Sequence, residues 1–436
     1  MLEELQIWDE KILKVVEQLG LEIYEQEFLL TNHNQMISYI AYSGIPSRYT
    51  HWSFGKAYER TKTLYKFGVM GLPYEMVINS DPCLAYLMKD NTLTLQVLTM
   101  AHVYGHNNFF KKNICFVSSP IKASNALMMF KSHSRFVRKL IEDPSIGLDR
   151  VEAILDAAHA LRFHCSNNFL IKKKPEEEGN LFSLSLNENL LSFIAKHGRN
   201  LESWEQVLLE IVEKESIYFI PQIETKIMNE GWASLIHYLV LNNLNLPAGM
   251  HFEFLVNHSK VLQPTFGSIN PYHVGFVVFT SLYEEFSGTQ FDPSNLDLSV
   301  FEKLKQIVES ERDQSFLRRF LTSEMAEKLN LFSHSKKGKN RVVSNLPPKD
   351  FEKLKQVLVS QVGMGSIPKI IVRSVDETTL NLEHIFDGRE LQTDWSEQVL
   401  RHIYTLWRNP VSLDTFLGDK KVRIICKNQE IKIEKI

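Results

Sequence analysis

Cysteine is scarce: the 436 residues hold four, Cys83, Cys115, Cys165 and Cys426. No two lie close together and no CxxC occurs. That excludes a disulfide framework or a cysteine zinc site and makes a reducing cytoplasm the expected compartment. An excess of charge of one sign is also missing. The 49 Lys and Arg stand against 52 Asp and Glu, a net charge of −3, so no surplus exists to neutralise nucleic-acid phosphates. Long apolar runs are absent. The most apolar stretches, Tyr238–Leu241 and Val274–Thr280, fall far short of the roughly 20 residues a membrane-spanning helix needs. The N-terminal MLEELQIWDEKILKVVEQLG is acidic and amphipathic, without the basic and apolar regions of a signal peptide. Nor is there a GxGxxG, a P-loop or a GxSxG, so nucleotide-phosphate binding and an α/β-hydrolase nucleophile lack support.

What is present is an ordinary globular balance, 44% hydrophobic and 23% charged, with 27 Phe and 15 His. Helical periodicity dominates the first three quarters. Leu5, Ile12, Val16 and Leu19 line one face of a first helix that Gly20 ends. The pattern predicts helices over Ser53–Phe67 with Ser53 as cap, and over Thr92–Phe110 capped by Asn91. It predicts another from an Asp149/Glu152 capping box to Phe163. A helix pair, Glu202–Phe219 and Ile223–Leu241, is expected around Pro221. Helices over Met250–Leu262, Pro271–Phe286, Ser299–Glu311 and Asp313–Leu331 follow. Lys172–Asn180 (KKKPEEEGN) reads as a charged mobile linker, and Ser333–Arg341 (SHSKKGKNR) as the domain boundary. Beyond it the texture turns to α-β-β-α-β-β. The expected architecture is therefore mainly α, with a large helical domain over 1–335 (linker about 172–180) and a small C-terminal α+β domain over 342–436.

Chemistry concentrates in two of these helices. In Met100–Asn107, His102 and His106 are four apart, so both imidazoles share one helix face, the spacing by which a helix supplies two metal ligands. Gly105 beside them allows another segment to approach closely. In Met228–Tyr238, Glu230, Ser234 and His237 share a face, with Glu230 and His237 two turns, roughly 10 Å, apart. That separation suits one ligand and one supporting group. The alternative is a buried Glu–His hydrogen bond with no metal. His159, on the apolar stripe Val151, Ile154, Leu155, Ala158, is a further candidate ligand or a plain core histidine. The metal set is thus His102, His106, Glu230, His237 and His159, for a divalent ion: zinc first, with iron or manganese suited to the same donors. The arrangement of helices is zinc-peptidase-like, with one departure. Val103 stands where HExxH carries its glutamate base. Either Glu230 or another carboxylate such as Glu75 then activates water, with Tyr104 as a polar neighbour, or the site is not a peptidase.

Six strings resemble the stage V sporulation protein R (SpoVR-like) family: HWSFGK (His51–Lys56), LYKFG (Leu64–Gly68), YEMVINSDPCLAYLM (Tyr74–Met88), MAHVYGHNNFFKKN (Met100–Asn113), MNEGWA (Met228–Ala233) and INPYHVGF (Ile269–Phe276). They run in order over roughly residues 25–330, and the β-rich tail has the family's shape. The resemblance implies a cytoplasmic bacterial protein tied, in endospore formers, to formation of the spore cortex, a peptidoglycan layer. It also implies as partners a PrkA-type serine protein kinase and a YeaH-like protein with a von Willebrand-type domain. The family's motif residues fall on His51, His102, His106, Glu230 and His258. Two functions follow from these observations: a metal-dependent centre with hydrolase-type chemistry, or a non-catalytic scaffold in a kinase-linked stress or sporulation pathway.

Overall fold

The computed structural model describes residues 2–67, 75–165, 189–264, 269–331, 333–337, 340–344 and 348–436. The linker expected at 172–180 lies outside them. The chain opens with α1 (Leu2–Gln18), β1 (Gln26–Thr31), α2 (His33–Ala41), α3 (Trp52–Lys66), β2 (Glu75–Ile78) and β3 (Cys83–Met88). Next come α4 (Leu93–Lys112), the short α5 (Ile114–Val117), α6 (Ala123–Glu142) and α7 (Gly147–Ala160). Then follow α8 (Leu190–His197), α9 (Ser203–Glu224), α10 (Lys226–Asn243), α11 (Ala248–Val261), α12 (Pro271–Ser287), α13 (Leu298–Ser310), α14 (Asp313–Phe320) and α15 (Ser323–Lys328). A hairpin, β4 (Ser333–Lys337) and β5 (Asn340–Ser344), leads to α16 (Pro348–Gln361). The tail holds β6 (Ile370–Asp376), β7 (Thr379–His384), α17 (Thr393–Trp407), β8 (Val411–Leu417), β9 (Lys420–Lys427) and β10 (Glu430–Lys435). The fold is mainly α, with a small C-terminal α+β unit.

Helix α4 is the axis of the body. From Thr94 to Phe110 nearly every side chain is buried, so the helix is covered on all sides rather than along one stripe. Helix α10 is equally enclosed, with Trp232, Leu235, Ile236 and Leu239 fully buried. Each such side chain contributes about 1.5–3 kcal/mol by leaving water. Small residues set the crossings. A Cβ on Gly105 would lie 2.6 Å from Ala233 Cα, so α4 and α10 touch backbone to backbone where Gly105 permits it. The same holds between α10 and α12, where a Cβ on Gly231 would meet Gly275 Cα at 2.3 Å.

Several local expectations are corrected. His51, not Ser53, caps α3, its ring accepting the Ser53 N–H. Thr92, not Asn91, caps α4 through Leu95 N–H. Helix α7 starts at Gly147, so Asp149 lies inside its first turn and forms no capping box. Pro221 does not break α9. The chain turns at Thr225, whose hydroxyl donates to Pro221 O at 2.7 Å. The Asp313 carboxylate accepts the Ile227 and Met228 N–H groups at 2.8 and 2.9 Å and so starts α10. The expected helix Asp313–Leu331 is two helices, because Thr322 caps a new one. Three strands interrupt the helical region: β1 pairs parallel with β3, and β2 antiparallel with β3. Ser333–Arg341 runs through the β4–β5 hairpin rather than a plain connector.

In the tail, β8 was absent from the sequence pattern. It lies in the middle of the sheet β10-β9-β8-β7-β6, parallel to β7, with antiparallel pairs elsewhere. Its run Val411–Thr415 is buried without alternation, which hides a strand from a period-two pattern. Helix α17 lays Leu400, Ile403, Leu406 and Trp407 over the sheet and shares one core with Val151, Ile154 and Leu155 of α7. Helix α16, grouped with the tail by its sequence texture, packs Phe351, Leu358 and Val359 into the core of α10, α12 and α14.

Candidate metal centre

One face of α4 presents His102 and His106, both buried, with ring centroids 4.6 Å apart at 87°. The strand β2 brings Glu75 to them by its first residue, and α10 brings Glu230. Glu230 Oε2 lies 3.6 Å from His102 Nε2 and 3.4 Å from His106 Nε2, and Glu75 Oε1 lies 3.9 Å from His102 Nε2. Ligand atoms of Glu75, His102 and His106 all fall within 4.8 Å of one another. These separations are long for charge-assisted hydrogen bonds. They match the edges of a coordination tetrahedron, about 3.4 Å for bonds near 2.1 Å. His102 Nε2 and Glu230 Oε2 are buried and have no hydrogen-bond partner. Leaving such atoms unsatisfied costs about 1–3 kcal/mol each, so two aimed at one another across 3.6 Å mark a place suited to a third group. The Glu75 and Glu230 side chains keep 13% and 18% exposure, which leaves the centre a way in.

The surroundings orient the imidazoles. His106 Nδ1 is 2.8 Å from Asn229 Oδ1, an acceptor, so the proton sits on Nδ1 and the Nε2 lone pair faces the centre. His102 Nδ1 is 2.9 Å from His237 Nδ1, and His237 Nε2 is 2.7 Å from His258 Nδ1. With His102 Nε2 turned to the centre, the row carries its protons in one sense, each ring donating to the next. Tyr272 stacks on His102 and Phe110 on His106. Burial pushes the Glu230 carboxyl up, but the two imidazoles outweigh it and hold the group well below the usual carboxylate range. Glu75 is raised by burial, against the pull of His102 and His106. Burial lowers His106, yet the negative charge of the facing Glu230 carboxylate, with the Asn229 contact, leaves it raised. The set favours positive charge at its middle.

His102, His106 and Glu230, singled out in the sequence, thus meet, and Glu75, named there only as an alternative base, joins them. Three other assignments are corrected. His237 is not in the donor set, because both its ring nitrogens are engaged by His102 and His258. Two turns of α10 carry it past the centre. His159 lies in a different core, its Nε2 2.7 Å from the Tyr49 hydroxyl and its ring against His51. Tyr104, two residues from His102 and so about 200° round α4, donates to Asp9 Oδ1 at 2.8 Å on α1. Burial raises its phenol further from any use as a base. Sequence reasoning missed Asn229 and Tyr272, although each lies inside a motif string, next to Glu230 and Pro271. His51, a motif residue, is the α3 cap.

The histidine row makes stability depend on acid. Burial and the neighbouring His102 hold His258 down to about 4, and burial drives His237 the same way. A base with a lowered pKa contributes stability that is complete above its unfolded value, near 6.5, and lost as pH falls toward 4. The free energy of unfolding should therefore fall between pH 6.5 and 4, by about 3 kcal/mol for His258 alone, read from urea midpoints across that range. His258→Gln should flatten that profile. A wild-type slope in the variant would place the acid sensitivity elsewhere.

The family model described as SpoVR like protein matches residues 1–181 and 170–367, and the SpoVR-like C-terminal domain model matches 368–418. The Escherichia coli (strain K12) protein with the name Uncharacterized protein YcgB is 31% identical over 481 residues, which covers 97% of this chain and 93% of that one. No solved structure matches. Among the described residues, no helix is long and apolar enough to cross a membrane.

Proposed function

The chain belongs to the SpoVR-like family, and from that premise we propose that it is a metal-dependent protein whose chemistry sits between α4, α10 and β2. His102 and His106, with Glu75 and Glu230, hold one divalent ion, zinc first, with iron or manganese suited to the same donors. The observation that carries the reading is the pair of buried, unpaired atoms His102 Nε2 and Glu230 Oε2, 3.6 Å apart within a frame of orienting hydrogen bonds.

A divalent ion there supplies Lewis-acid polarisation of a substrate oxygen, the basis of hydrolase-type chemistry. The chain's own groups do the rest. Asn229 and His237 fix the two imidazoles. Val103 occupies the position of the peptidase base, so proton transfer falls to a carboxylate oxygen that does not bind the ion, that of Glu75 before Glu230, which the imidazoles hold below the usual carboxylate range. By the family's name and gene company, the pathway is sporulation and cortex formation in endospore formers, in the cytoplasm, beside a PrkA-type kinase and a YeaH-like protein. Four free buried cysteines agree with a reducing compartment.

The test is metal analysis of protein purified without a His tag. Wild type should carry about one equivalent of a divalent metal and His102→Ala with His106→Ala almost none, with helical content unchanged. Metal-free wild type after growth with zinc, iron and manganese would overturn the reading.

A further inference from the structure

A second concave feature opens at the first turn of α10. It is a cleft of about 600 Å³ between α9, the start of α10, the approach to α12 and the end of α16. That volume suits a small organic molecule. Arg48, Arg162 and Lys226 face it, and Phe163 and Phe219 supply apolar wall. Against these three cations the lining has one carboxylate, Asp313. Both Asp313 oxygens are turned to the α10 backbone, accepting Ile227 and Met228 N–H. Arg48 is held by buried Glu215, which His133 also contacts. Nearby Glu224 is paired with Arg312. Arg162 and Lys226 have no carboxylate partner among the described residues. Exposed cations on convex surface are ordinary. Two cations without a carboxylate partner, one of them Arg162 laid over the Phe163 ring at 4.7 Å, on the lining of one concavity with aromatic wall are an arrangement that recognises an oxyanion on an apolar body.

The cleft also adjoins the His/Glu centre. Ile227, part of its lining, lies three residues and about 4.5 Å along α10 from Glu230. Pro271, also in its lining, precedes Tyr272, which stacks on His102. We propose that this cleft binds a small anionic molecule, its phosphate or carboxylate held by Arg162 and Lys226 and its apolar part against Phe163 and Phe219. As the substrate cleft of the neighbouring centre, this assignment rests on the metal reading; as an anion site it does not.

Calorimetric titration at constant ionic strength tests it, with phenyl phosphate and benzoate as probes and phenol as the neutral control. Wild type should bind phenyl phosphate or benzoate at one saturable site and phenol not at all. Arg162→Gln and Lys226→Gln should each weaken binding about tenfold or more, with metal content unchanged. The metal-site variant His102→Ala with His106→Ala should retain binding. No saturable binding of either anion by wild type would overturn the proposal. So would equal affinity in the Arg162→Gln, Lys226→Gln double variant. Binding lost only in the histidine variant would mean that the anion sits on the metal, which overturns the cleft and supports the centre. Metal-free wild type that still binds phenyl phosphate through Arg162 and Lys226 would keep the cleft and remove the metal reading alone.

Discussion

Gly231→Val is expected to lower the stability of this protein by about 3 kcal/mol or more, a large share of the 5–15 kcal/mol typical of a folded domain. A Cβ at position 231 would meet Gly275 Cα at 2.3 Å, Gly275 C at 2.4 Å and Phe276 N at 2.9 Å. The reverse contact is as tight: a Cβ on Gly275 would meet Ile227 O at 2.3 Å. All of these are backbone atoms, so no rotamer change relieves them. The helices α10 and α12 must separate instead. Separation moves Glu230 and exposes Trp232, which stacks on Phe301 and packs on Phe279. The urea midpoint and the metal content should fall together. Gly55→Ala is the control, because nothing lies within 4 Å of its Cβ position and alanine is the better helix former. A wild-type midpoint for Gly231→Val would refute the close crossing of α10 and α12.

The second large effect concerns the donors. A four-ligand zinc site yields about 12 kcal/mol, near 3 kcal/mol per ligand, or about 10²-fold in affinity. Glu75→Ala and Glu230→Ala should each weaken zinc by about that factor, measured by competition with a chelator of known affinity. Asn229→Ala should cost about 10–100-fold, because His106 loses the acceptor that sets its tautomer. Tyr104→Phe and His159→Gln should leave affinity unchanged, since neither side chain reaches the centre. If Glu230→Ala matches wild type while Glu75→Ala does not, Glu230 is not a ligand. The centre then has three protein donors, Glu75, His102 and His106.

These contrasts also show what was legible beforehand. The HxxxH spacing on α4 placed two imidazoles on one face, because helical geometry is a property of the local chain. Glu230 was legible for the same reason: a carboxylate on an otherwise apolar face requires a partner. Glu75 was visible only as an alternative base. It stands at the first position of a four-residue strand, too short for a period-two pattern to declare itself. Caps were the least legible feature. Asn91 and Thr92 are both good capping residues, and which one is used depends on where the preceding turn leaves the chain. Pro221 misled because its ring removes one hydrogen bond without forbidding the helix when the next turn is packed on both sides.

By itself the sequence determined the helical class, the shared face of His102 and His106, the polar face of α10 and the change of texture toward the tail. All of these follow from short-range periodicity. Tertiary structure decided which polar groups meet. His159, half-buried, and His106, buried, both stand on helices with many apolar residues, yet one ends against Tyr49 and the other beside Glu230. The difference lies in the crossings of α4, α10 and α12, where Gly105, Ala233, Gly231 and Gly275 let backbones touch. Contact at that range brings side chains of different helices within ligand distance of one another. No rule of spacing along one chain contains that distance, because it is set by what is absent from the facing helix.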